Sequence, residues 1–77
     1  MKRHLNTLFV TTEGAYLTKD GECLAARVDG AIRLRVPITA LESVVCIGRV
    51  ACSPQALEHC AVNGVAVTHL SDTGRGT

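Results

Sequence analysis

Hydrophobic and polar residues alternate in short runs through the first half of the chain, and acidic–glycine pairs break the runs. Glu13-Gly14, Asp20-Gly21 and Asp29-Gly30 fall seven and nine residues apart. Asp-Gly marks a tight two-residue hairpin, because both central positions then take positive φ. The runs between these turns are Leu5–Thr11, Ala15–Lys19, Glu22–Val28 and Ala31–Val36. In the last, Ile32, Leu34 and Val36 share one face and Arg33 and Arg35 the other. Leu24, Ala26 and Val28 make a looser inward stripe. The pattern predicts a four-strand antiparallel meander.

After Pro37 the pattern changes. Residues 37–41 are a connector with room for one helical turn, and Ser43–Ile47 is nearly all apolar, the mark of a strand covered on both faces. Ser53-Pro54 opens a helix, with Ser as N-cap and Pro at the first helical position. Ala56, Leu57, Cys60 and Ala61 form its apolar face, and Asn63-Gly64 ends it. Val65–Leu70 is a further strand. Strand, helix and strand within about 28 residues predict a right-handed βαβ crossover with parallel strands. The fold class expected is therefore mainly β with one helix (α+β): an antiparallel β-meander plus a βαβ unit forming a small β-sandwich. Residues 71–77 are polar and glycine-bearing, and read as a domain boundary or a cut.

Composition narrows the function. The chain has 77 residues and 47% apolar content but one Phe, one Tyr and no Trp, so its core is Val, Ala and Leu. Small aliphatics bury little area, which predicts reliance on a partner subunit or neighbouring domain and argues against a large enclosed active site. No apolar run approaches the ~18 residues of a membrane span. Lys2-Arg3-His4 precedes a stretch too polar for a signal peptide, so the expected location is cytoplasmic. A net charge of +1 excludes a strongly basic nucleic-acid arm, although six of the eight basic residues are Arg, the better phosphate ligand.

Residues for chemistry are scarce. Cys23, Cys46, Cys52 and Cys60 fit no zinc spacing, and in a reducing compartment they read as small buried hydrophobes. A zinc site assembled with His59 or His69 is the lesser reading, and no metal or catalytic residue is assigned. His59 and Cys60, adjacent on a helix, point about 100° apart and make a poor base–nucleophile pair. His69 and Asp72 follow a parallel strand, where sites often form, but a surface His and a turn Asp explain them as well. Gly48-Arg49 lies between strand and helix without a phosphate-loop pattern. Anion contact by Arg49 with the Ser53 helix N-terminus stays open. Arg33 and Arg35 read as a solvated face. From the residues alone, the expectation is a β-rich domain that associates, with phosphate contact left open.

The stretch Leu8–Leu17 with Asp20-Gly21 resembles the opening of CRISPR-associated protein 1, the integrase subunit of spacer acquisition. So do Leu34–Ile38, Leu41–Val45, Gly48–Val50, Ser53-Pro54, Ala56-Leu57, Ala61, Asn63–Val65 and Leu70, closest to the type I-C branch. The resemblance implies an N-terminal β domain over residues 1–77, with the family's helical catalytic domain and its Mg²⁺- or Mn²⁺-binding Glu, His and Asp absent. It implies a homodimer formed through the β domain, assembly with CRISPR-associated protein 2, and insertion of double-stranded DNA into the CRISPR array by a family that also has endonuclease activity. Arg49 and Arg75 stand where members place basic residues on the DNA backbone. Where some members carry a wedging aromatic, this chain has Thr11 and Thr12, with Tyr16 further on. Two other readings stand beside it. One is a stand-alone β scaffold that only oligomerises. The other is a small thiol or metal enzyme, which requires Cys46, Cys52, Cys60 and His59 or His69 to converge.

Overall fold

A computed structural model describes residues 2–70, with side chains from residue 5 onward. Its elements are β1 (Lys2–His4), β2 (Thr7–Val10), β3 (Tyr16–Asp20), β4 (Cys23–Val28) and β5 (Ala31–Pro37), then a 3₁₀ turn (Ile38–Ala40). β6 (Ser43–Ile47), β7 (Ala51–Cys52), α1 (Pro54–Val62) and β8 (Ala66–Leu70) follow. One sheet has the order β1-β2-β6-β8 and the other β5-β4-β3-β7. The architecture is mainly β with one helix and two sheets, as the pattern predicts.

The meander is shorter than expected. Leu5–Thr11 is not one strand: Leu5-Asn6 turns between β1 and β2, and β2 pairs in parallel with β6 rather than antiparallel with β3. The reason is packing. Leu8 and Val10 are fully buried, in line with Val44 and Cys46 across the β2–β6 ladder. Flanked by β1 and β6, β2 has ladder partners on both sides, and the chain crosses to the other sheet through residues 11–15. The meander proper is β3–β4–β5, with β7 added in parallel to β3.

The Asp29-Gly30 turn has φ +54° and +80°, the two positive values its type demands. Between β3 and β4 the turn residues are instead Gly21 and Glu22, and only Gly21 has positive φ. A bulge between Ala26 and Arg27 shifts the β4–β5 register, so that Leu34 pairs with Ala26 but Ile32 pairs with Arg27. One extra residue turns the strand over, which puts Ile32 on the exposed face rather than inward with Leu34 and Val36.

The inner faces enclose Leu8, Val10, Leu17, Leu24, Ala26, Val36, Ile38, Val44 and Cys46. Ser53 caps α1 as expected, its Oγ accepting from the Ala56 amide at 3.0 Å, with Pro54 behind it. The helix buries only Ala56 and Cys60; Leu57 and Ala61 face outward, a narrower apolar stripe than the sequence pattern predicts. β6 and β8 are parallel neighbours, as the crossover requires.

Candidate functional site

The loop 48–50 joins β6 of one sheet to β7 of the other, and hydrogen bonds hold it from two sides. The Gly48 amide donates to the Leu70 carbonyl at 3.0 Å, and the Arg49 carbonyl accepts from the Gly14 amide at 2.9 Å. With its backbone fixed, Arg49 projects a side chain that is 85% exposed. The Arg49 Nε lies 3.9 Å from Glu13 Oε2. Beside it is an open groove of about 360 Å³ lined by Gly14, Ala15, Tyr16, Gly48, Arg49, Val50 and Ala51. Tyr16 is the exposed aromatic of this edge. Ser53 is buried and is not among the residues that line the groove. Arg75 and Asp72 lie outside the described residues.

Arg33, Arg35, His59 and Cys60 are not among the residues that line this groove. Arg35 pairs with Asp20 (Nε to Oδ2, 2.7 Å), while Arg33 is exposed at the bulge. Cys60 points into the core, whereas His59 lines a separate groove with Lys19, Gln55, Glu58 and Val62. The His59 Nε2 is buried without a hydrogen-bond partner among the described residues.

A second cluster was not legible in the spacing of the cysteines. The parallel register of β6 and β8 sets Cys46 beside His69. The register of β3 and β7 sets Cys52 beside the buried Leu17, and so turns it inward from the opposite sheet. The ligand atoms of Cys46, Cys52 and His69 all lie within 4.8 Å of one another. Cys52 Sγ and His69 Nε2 are 3.9 Å apart. The Cys46 thiol hydrogen-bonds the Cys52 sulfur, which favours the Cys52 thiolate. Burial opposes this, but the charge and hydrogen bond of His69 add to it, and the Cys52 pKa falls to about 6. The same hydrogen bond keeps the proton on Cys46, whose pKa rises, with burial and the neighbouring thiolates adding to the effect. Burial and then the Cys52 charge raise Cys60. The signal that finds this cluster is the predicted parallel pairing of Ser43–Ile47 with Val65–Leu70, which aligns Cys46 with His69 once the register is known.

The family described as CRISPR associated protein Cas1 matches residues 8–77. A CRISPR-associated endonuclease Cas1 of Chlorobaculum tepidum is 55% identical over 75 residues, covering 97% of this chain and 22% of the relative. One from Rhodospirillum rubrum is 45% identical over 75 residues, again 97% of this chain and 22% of the relative. The chain spans about a fifth of the length of these relatives. Among solved structures, the fold is similar to a chain of a partial Cas6-RT-Cas1–Cas2 complex, with TM-score 0.83 and 21% identity over 92% of this chain and 21% of that one. It is also similar to a chain of a TtCas1–DNA complex, with TM-score 0.67 and 15% identity over 87% of this chain and 26% of that one. The structural likenesses speak for the fold, and the sequence matches carry the lineage: this chain belongs to the CRISPR-associated Cas1 family.

Proposed function

We propose that this chain is the N-terminal β domain of a cytoplasmic Cas1 integrase of the type I-C branch, which pairs with a second copy and grips duplex DNA by its backbone. The observation that carries the reading is the Cas1 match over residues 8–77, joined to an exposed Arg49 on the loop between the sheets. The planar guanidinium holds two phosphate oxygens at once, and Arg75 supplies a second such group. Two arginines without base-reading partners make a sequence-independent contact. Similar folds in a Cas1–Cas2 complex and a Cas1–DNA complex support Cas2 and DNA as partners. The edge strand β5, with Ile32 exposed on it, supports strand-mediated pairing of two copies. In this reading the Mg²⁺- or Mn²⁺-dependent cutting and joining of DNA belong to the family's helical domain, and this domain positions the duplex.

The test places Arg49→Ala and Arg75→Ala together in a full-length Cas1 carrying this domain and titrates duplex DNA at several salt concentrations. Affinity is expected to fall, and the slope of log K against log salt to flatten by about 0.9 for each phosphate that the variant no longer neutralises. Unchanged affinity and slope would leave the domain as an oligomerising scaffold.

A further inference from the structure

We infer that Cys46, Cys52 and His69 form a binding site for a zinc-class ion that clamps the two sheets together. The three donors reach the same point from three strands: β6 and β8 of one sheet, and β7 of the other. Their chemistry selects the ion. Two thiolates and an imidazole suit borderline and soft metals, and among the described residues the cluster has no carboxylate for Mg²⁺ or Mn²⁺.

Their spacing is close to what a tetrahedral ion needs. Zinc bonds of about 2.3 Å to sulfur and about 2.0–2.1 Å to nitrogen set ligand atoms roughly 3.5–3.8 Å apart. The Cys52–His69 separation is 3.9 Å, and no pair in the cluster exceeds 4.8 Å. Closing on an ion therefore takes rotamer adjustment of about an ångström or less. Cys46 is fully buried, Cys52 half-buried and His69 exposed, so the site has a closed floor and an open side by which an ion enters.

Binding displaces the Cys46 thiol proton, and whatever proton Cys52 still holds, to solvent. The neutral imidazole donates its Nε2 lone pair, and water takes the fourth position. Nothing is oxidised or reduced. Cys46 and Cys52 flank the loop that carries Arg49, so the ion also braces that loop against β8. Metal binding here is independent of what the Arg49 side chain touches.

Cobalt substitution tests the site. The purified chain, kept reduced with a phosphine, is titrated with Co²⁺ and then with Zn²⁺ in competition. The expected result is one equivalent of Co²⁺ giving sulfur-to-cobalt charge-transfer bands and tetrahedral d–d bands, displaced by Zn²⁺. Cys52→Ser should abolish the charge-transfer bands or cut their intensity by about half. His69→Asn should weaken the affinity by at least about tenfold, the smallest loss expected when even an outer partner of a metal site is removed. Cys52 is half-buried and His69 exposed, and circular dichroism verifies that the variants fold. Absence of the bands, or bands and affinity unchanged in folded His69→Asn protein, would overturn the inference.

Discussion

The guanidinium of Arg49 faces the carboxylate of Glu13 across 3.9 Å at an exposed edge of the fold. Both side chains reach into water, so the pair contributes little to stability. Its consequence is for binding: a phosphate approaching Arg49 meets Glu13 as a competing anion. Glu13→Gln is therefore expected to strengthen duplex DNA binding by the full-length protein, by up to about fivefold at low salt, the upper range for an exposed pair. The gain should vanish in an Arg49→Ala background, and a double-mutant cycle on DNA affinity measures it.

The Cys52 thiol is expected to alkylate at a pH where ordinary thiols are still inert. Its reaction with iodoacetamide in metal-free buffer should rise through a midpoint near about 6, against 9.0 for an unperturbed thiol. Cys46→Ala removes the S–H donor that favours the thiolate and should move the midpoint upward. Mass-spectrometric mapping of the modified cysteine over a pH series reads both.

The same pair makes metal-free stability depend on pH. Between about 6 and 9.0 the unfolded chain holds a Cys52 proton that the folded chain has released, so stability rises with pH across that window and is lost as pH falls through about 6. Above the ordinary thiol range the folded chain keeps its Cys46 proton while the unfolded chain loses it, so stability declines again. Thermal melts of the reduced protein across this range should flatten in Cys52→Ser.

Ser53→Ala should destabilise the fold by about 1 kcal/mol, since it strips the Ala56 amide of its acceptor at a buried helix start. Ser53→Asp, which keeps an acceptor, should recover part of that loss. Urea unfolding of the two variants gives the comparison.

Leu5 turns the β1–β2 hairpin at φ +57° with its side chain 81% exposed. A left-handed conformation costs an ordinary L-residue roughly 1–2 kcal/mol, and no burial of the leucine offsets it. Leu5→Asn, which tolerates that region, is expected to raise the midpoint of thermal unfolding, and Leu5→Val to lower it.

Local chemistry settled much of this protein in advance. Asp29-Gly30 dictates its turn because the glycine accepts positive φ freely, and Ser53-Pro54 and Asn63-Gly64 bound the helix because they satisfy its terminal amides and stop its winding. Apolar runs marked β2 to β6 and β8, because each strand needs a face to bury, but not the charged β1 or the two-residue β7. Family resemblance was likewise carried by residues in order along the chain, and the match over 8–77 agrees with it. Partners distant in sequence were another matter. That β2 joins β6 and not β3 is decided by where Leu8 and Val10 find a core, and neither strand alone encodes it. The bulge that exposes Ile32 is a property of the β4–β5 ladder, invisible in the clean alternation of β5. The meeting of Cys46, Cys52 and His69 depends on two parallel registers in two sheets at once. Periodicity reports which way a side chain faces, but only the packing of one sheet on the other decides what it meets there.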